Sequence, residues 1–173
     1  VVARAHHHIL WSRNQNYRET MLNPLLAKER VIFEHFTHDA SVLPVDMYPM
    51  WRRRFARMQA WRERSSYFNP DHVTDWKDRL LARIRAEGPL STKDYESQKL
   101  SKEAWARPPH KQVLEYLWYA GILATSHLEK FHKYYDLAER VIPEQHLGKA
   151  LSEDAQIDWL CRAALERLGV GTE

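Results

Sequence analysis

Residues 69–121 carry a run of start and stop signals that leaves few folds open. Asn69-Pro70 marks a helix start: asparagine accepts from an unpaired first-turn amide, and proline lacks an amide that would go unused there. Val73, Trp76, Leu80 and Ile84 then recur at helical spacing, and Gly88 supplies a stop. "GPLST" (88–92) reads as a short extended piece. Ser91 and Asp94 have capping-box spacing and predict a short helix over about 92–98. A loop with Trp105 leads to Pro108-Pro109, the head of a helix that runs to Gly121 with Val113, Leu114, Leu117 and Trp118 inward. Two β-like runs follow, "ILATSH" (122–127) and "FHKYYDL" (131–137), with a polar turn near Glu129.

Helix, short strand, helix, turn, helix and β-hairpin is the order of a winged helix-turn-helix. The expected fold class is therefore mainly α with small β (α+β), in a tandem winged-helix architecture. Upstream, residues 2–13 lack Gly and Pro and space Val2, Ala5 and Ile9 on one helical face. Residues 17–30 give a second helical stretch, with Pro24 as an interruption or new start and Asn23 as its cap. "VIFEHF" (31–36) is β-branched and aromatic and predicts a short strand; "THDASVLPVD" (37–46) reads as a loop. Asp46 is placed to cap a long helix over about 47–66, with Met47, Met50, Trp51, Phe55, Met58 and Trp61 as its apolar stripe. Arg54 falls inside that stripe, so it snorkels or meets a partner. "SSYFNPDH" (65–72) is the best linker. The final helix has Ser152 as cap, Ile157, Leu160, Ala164, Leu165 and Leu168 as stripe, and Gly169 as stop. Residues 1–68 then form the C-terminal part of a first winged-helix domain plus connecting helices. Residues 69–143 form a second domain, and 144–173 a helix beginning a third.

Composition narrows the function classes. Hydrophobic residues at 44% and charged residues at 28% exclude a disordered chain. One cysteine, Cys161, excludes an intrachain disulfide. No apolar run is long enough for a membrane helix, and no signal peptide is visible. A net charge of +3 hints at a polyanionic partner without establishing one.

Three groups could carry chemistry. On the helix read over 110–120, the outward side chains are His110, Lys111, Gln112, Glu115, Tyr116 and Tyr119. Lys111 and Gln112 suit phosphate or base-edge contacts, and the hairpin adds His127, Lys130, His132 and Lys133. Arg53, Arg57 and Arg64 share a face of the 47–66 helix, which is either a solvated face or one that tracks phosphates. Glu34, His35 and His38 form the third group. A metal site needs three or four convergent ligands, and a strand sends Glu34 and His35 to opposite sides, so structural hydrogen bonding or an active-site lining is favoured over metal. The triplet His6-His7-His8 is likewise poor for metal, because successive helical residues diverge by about 100°. The wheel puts His6 on the side of Val2, Ile9 and Arg13, and His7 and His8 beside Arg4 on the other.

Five stretches together carry a family resemblance: "RAHHHILWSR" (4–13), "VIFEHFTHDASVLP" (31–44), "GPLS" (88–91), "KQVLEYLWYAGIL" (111–123) and "FHKYYDLAERVIP" (131–143). They resemble the YcaQ/AlkZ-type bacterial winged-helix DNA glycosylases over essentially the whole chain. The resemblance implies a DNA-repair enzyme that cleaves the N-glycosidic bond of alkylated bases and unhooks interstrand crosslinks, without cofactor or metal. It places the catalytic Gln-x-Asp or Gln-x-Gln motif just upstream of Val1. On that reading this chain is an inactive fragment that serves as a DNA-binding scaffold. Arg4, His6 and Arg13, with Glu34 and His38, would border the active site. Arg53, Arg57, Lys111, Gln112, Lys130 and Lys133 would hold DNA. The partner would be double-stranded DNA, alkylated or crosslinked, and the protein a cytoplasmic, nucleoid-associated monomer. The competing reading is a non-catalytic winged-helix DNA-binding or regulatory protein; a third is a helical scaffold.

Overall fold

A computed structural model describes residues 4–65, 68–95, 108–148 and 151–169. The architecture is α+β: mostly helical, with two small antiparallel sheets. Helix α1 (Ala5–Arg13) has no side-chain cap and buries no residue fully. A 3₁₀ turn, Glu19–Met21, leads into α2 (Leu22–Ala27), which buries Leu22 and Leu26. Pro24 does not interrupt α2. It sits in the first turn, where an amide has no intrahelical partner to lose. Nor does Asn23 cap; its Oδ1 accepts the Leu128 amide at 3.2 Å and ties α2 to a distant hairpin.

Strand β1 (Ile32–Phe36) forms where expected. The segment read as a loop holds a second strand, β2 (Ala40–Pro44), paired antiparallel with Phe33 opposite Leu43 and Glu34 opposite Val42. The turn between them closes locally. Thr37 N–H donates to the Asp39 carbonyl at 2.9 Å, and Ala40 N–H to Asp39 Oδ1 at 2.7 Å. β2 has no partner beyond β1 and no fully buried residue, so its apolar alternation is faint in the sequence. Pro44 ends it, at a position where a missing amide is tolerated.

Helix α3 (Tyr48–Glu63) follows a 3₁₀ turn, Val45–Met47. Asp46 lies in that turn, exposed, and caps nothing. Trp51 and Phe55 are buried as the stripe predicts, whereas Trp61 is 49% exposed, because the helix outruns the core. Arg54 does meet partners: its guanidinium donates to the carbonyls of Phe36 (3.1 Å) and Thr37 and lies over the Trp51 ring.

Helix α4 (Pro70–Glu87) starts as predicted, with Asn69 Oδ1 accepting the Asp71 amide at 2.9 Å. Leu80 and Ile84 are completely buried. β3 (Leu90–Ser91) is followed by a 3₁₀ turn, Thr92–Asp94, in which Asp94 Oδ2 accepts the Ser91 amide at 2.7 Å. The rest of the helix expected at 92–98, and Trp105, lie outside the described residues. α5 (Pro109–Tyr119) leads to the hairpin β4 (Leu123–Glu129) and β5 (His132–Leu137), and the three strands lie in the order β3-β5-β4. Short helices α6 (Ala138–Val141) and α7 (Glu144–Leu147) precede α8 (Glu153–Leu168). Ser152 caps α8, accepting the Ala155 amide at 3.2 Å.

One part of the sequence reading needs correction here. His110, Tyr116 and Tyr119 do not point outward from α5; all three are buried. A helical wheel separates faces relative to one core, and α5 has packing on two sides. Tyr116 Oη donates to Glu63 Oε1 at 2.6 Å and accepts from Gln59 Nε2 at 2.9 Å. Arg62 pairs with Glu115 at 2.8 Å and lies over Tyr119. Phe36 of β1 meets the Tyr119 ring edge-on. α3 and β1 therefore cover the face that a DNA-reading helix would present. Of the six residues taken as outward, Lys111 alone is exposed.

Candidate functional site

The most heavily invested polar group among the described residues is the Glu34 carboxylate. β1 carries it inward between α1 and the β4–β5 hairpin, and its side chain is 1% exposed. Arg4 Nη1 reaches Oε1 at 2.9 Å; Lys133 Nζ and Thr125 Oγ1 reach Oε2 at 3.2 and 3.0 Å. A buried carboxylate is tolerated only with such partners. Each partner also holds something else. Arg4 Nη2 donates to the Phe131 carbonyl at 3.1 Å, and Lys133 Nζ sits 4.0 Å above the Trp118 ring centroid. The Trp118 indole donates to the Glu34 carbonyl at 3.3 Å. Glu34 thus ties the head of α1 to the hairpin and α5 with one anion and two cations.

His35 points to the opposite side of β1, as strand alternation requires, and is also buried. Its Nδ1 accepts the Trp51 indole N–H at 2.9 Å, so Nε2 carries the proton that meets the Trp118 carbonyl at 3.0 Å. This is a neutral, structural histidine, pushed down to about 4 by burial. The unfolded chain takes up that proton near 6.5, the folded one near 4. Stability is therefore full above about pH 6.5 and falls as the pH drops towards 4, by up to about 3 kcal/mol at 1.36 kcal/mol per unit. Thermal melts at pH 7 and 4.5 check this. A His35→Gln variant should show a shallower acid dependence over that window.

His6 occupies the first turn of α1, two residues from Arg4. Its Nε2 is buried and has no hydrogen-bond partner among the described residues. Burial, with His7 and Arg4 close by, holds it below the usual histidine value, so it is neutral at pH 7. His7 Nδ1 is 2.7 Å from the Tyr17 hydroxyl, and His8 is exposed. The triplet therefore splits, with His6 set apart.

The remaining expected site residues scatter. Arg13 is exposed at the far end of α1. His38 is exposed on the β1–β2 turn and does not join Glu34, because the hairpin carries it past the end of the strand. With arginine and lysine on Glu34, that carboxylate is held as an anion by cations and does not suit a metal. Arg53 is ion-paired with Glu153 of α8 and so is not a free cation. Arg57 and Lys130 are exposed, the latter at the hairpin tip with φ +55. Gln112 is half-buried, with Oε1 3.4 Å from His72 Nδ1. Lys133, expected outward on the hairpin, is turned onto Glu34 and Trp118. Thr125 and Trp118 were not anticipated. Their contacts with Glu34 carry no local signal, since they join positions 91 and 84 apart in the chain.

The letters Gln-x-Asp do recur once inside the chain, at Gln156-Ile157-Asp158. They lie on α8, where Gln156 donates to the Met50 carbonyl and Asp158 pairs with Arg162 at 2.8 Å. They do not precede the Arg4-Ala5-His6 segment, and they contribute nothing to the Glu34 cluster.

The cluster joins a buried carboxylate to two cations and a threonine hydroxyl, with His6 two residues from Arg4. Comparison with known families is more definite. The family model for DNA glycosylase AlkZ-like matches residues 2–173, and the chain belongs to the AlkZ-like DNA glycosylase family. No solved structure matches it. Among the described residues, no helix is long and apolar enough to cross a membrane.

Proposed function

We propose that this chain is the DNA-holding part of a repair glycosylase that cleaves the N-glycosidic bond of alkylated bases and unhooks interstrand crosslinks. The catalytic Gln-x-Asp or Gln-x-Gln pair would come from sequence immediately before Val1. The family match over residues 2–173 carries the reading; the Glu34 cluster gives it a geometry. The chemistry asks little of the protein beyond placement. An N7-alkylated purine is already cationic and leaves readily, so a carboxylate or carboxamide need only steady the oxocarbenium-like sugar and position water. Such a pair works only if held rigidly. Arg4, fixed at once to Glu34 and the Phe131 carbonyl, would set the head of α1 against the hairpin and so set whatever directly precedes it. His6, neutral and with Nε2 unpartnered, is the residue of this chain best suited to accept or donate a hydrogen bond there.

On the same reading, residues 69–143 are a winged-helix domain, residues 1–68 the end of a preceding one, and 144–173 the start of a third. The sheet order β3-β5-β4 behind α4 and α5 supports this. The exposed cations Arg13, Lys111 and Lys130 would meet the backbone of damaged duplex DNA. A regulator that reads sequence with α5 is disfavoured, because α3 covers that helix. The test is release of free base from N7-methylated duplex by the protein extended upstream of Val1: release is expected, and an extended protein that carries the pair and binds the duplex yet leaves the base in place overturns the reading.

A further inference from the structure

Helix α3 carries a second basic feature that the Glu34 cluster does not use. Between α3 and the end of β1 lies a groove of about 420 Å³ lined by Phe36, Arg54, Arg57, Met58, Trp61 and Arg64, together with Ala60. Three guanidiniums face it and, among the described residues, no carboxylate does. Arg54 is held by the carbonyls of Phe36 and Thr37, which orient its charge without neutralising it. Burial, and then the Arg57 charge beside it, disfavour its charged form. A groove of this kind is completed by an anion.

The aromatic member decides which anion. Trp61 is 49% exposed and meets the buried Tyr119 ring edge-on, with ring centroids 6.2 Å apart. Positions 54, 57, 61 and 64 recur at helical spacing, so the four side chains share one face. Arg57 and Arg64 are seven residues apart, about 10 Å along the axis, with the indole between them. A free phosphate or a duplex backbone would use the arginines and leave a half-exposed tryptophan idle. An unpaired strand uses both, because its bases offer open faces for stacking while its phosphates run alongside.

We propose that the Arg54–Arg57–Trp61–Arg64 face of α3 is an accessory site for an unpaired DNA strand, the indole stacking on a base and the guanidiniums meeting the flanking phosphates. That the polymer is DNA rests on the glycosylase reading. Unpaired strand flanking a lesion or a partly opened crosslink would then be held away from the Glu34 cluster.

The test uses the 173-residue chain, a labelled single-stranded DNA oligonucleotide and the matching undamaged duplex, titrated by fluorescence anisotropy over a range of KCl. The single strand should bind with an affinity that depends on Trp61. Trp61→Ala should weaken single-strand binding about tenfold, within the range measured for base stacking, and leave duplex binding within twofold; Trp61→Phe should retain most of the affinity. Arg57→Ala with Arg64→Ala should reduce the log–log salt slope for single strand by about 1.4, at roughly 0.7 per phosphate contact. All three side chains are exposed, and unchanged thermal melts would confirm intact folding. Single-strand affinity unchanged in Trp61→Ala, or an unchanged slope, overturns the proposal. Failure here with base release intact in the extended protein leaves the glycosylase reading standing; the reverse outcome removes that reading instead.

Discussion

A Glu34→Ala variant should lose about 3–5 kcal/mol of stability, the usual consequence of removing one partner from a buried ion pair. Its melting temperature should fall by on the order of 10 °C, given about 2–4 °C per kcal/mol for a chain of this size. The cause is not simply a lost attraction. Lys133 would keep its charge over Trp118 with no anion opposite, and Thr125 would lose its acceptor. Removing Arg4 instead leaves Glu34 with Lys133 and Thr125 still on Oε2. Arg4→Ala should therefore be much milder than Glu34→Ala, and Glu34→Gln should fall between, keeping an acceptor for Thr125. Equilibrium denaturation of the three variants measures this. A Glu34→Ala loss below about 1 kcal/mol would mean that the cluster does not hold α1 to the hairpin.

The second large effect is expected at Gly121, the hinge between α5 and β4. Its φ is +70, and a Cβ built there would lie 2.5 Å from the Phe55 ring. Gly121→Ala should cost about 2–5 kcal/mol, about 1–2 from the left-handed backbone and about 1–3 from overpacking. Gly88 is the control. It also has a positive φ, +89, but nothing lies within 4 Å of a Cβ there, so Gly88→Ala should show backbone strain alone. Combining Gly121→Ala with Phe55→Leu should cost less than the sum of the two, because the smaller side chain relieves the clash. Strict additivity would place the loss elsewhere.

Much of this fold was readable from local chemistry. Asn69-Pro70, Gly88, Gly121 and Ser152 act within one turn of themselves, and each does what its residue type dictates. The strand at 31–36 and the hairpin after Gly121 declared themselves through β-branched and aromatic runs. What failed was non-local. β2 exists because the turn at Thr37–Asp39 folds Ser41 to Leu43 back on β1, and its half-exposed residues have no strong alternation of their own. Asn23 has the shape of a cap, yet the Leu128 amide claims it from 105 positions away. Tyr116 and Tyr119 read as outward because the wheel of α5 cannot register α3 lying across it.

The candidate site divides in the same way. Glu34 and Arg4 stand in stretches that resemble the family's motifs, and the fold brings them into contact. Lys133 was expected at a DNA surface because lysines on a hairpin usually face solvent; the buried carboxylate opposite draws it in. His38 was paired with Glu34 through a shared stretch of the resemblance; it stands exposed on the turn between β1 and β2, while Glu34 is buried.

On the proposed function, this chain holds the substrate-facing end of a glycosylase whose catalytic pair would lie immediately before Val1. The measurement that bears on it most directly is the single-turnover rate of N7-methylguanine release from a methylated duplex. It compares the 173-residue chain with the same chain extended upstream of Val1. The extended protein should release free base, the shorter chain should not, and Arg4→Ala in the extended protein should slow release at least tenfold without unfolding it. An extended protein that carries the Gln-x-Asp or Gln-x-Gln pair and binds the duplex, yet leaves the methylated base in place, would contradict the account.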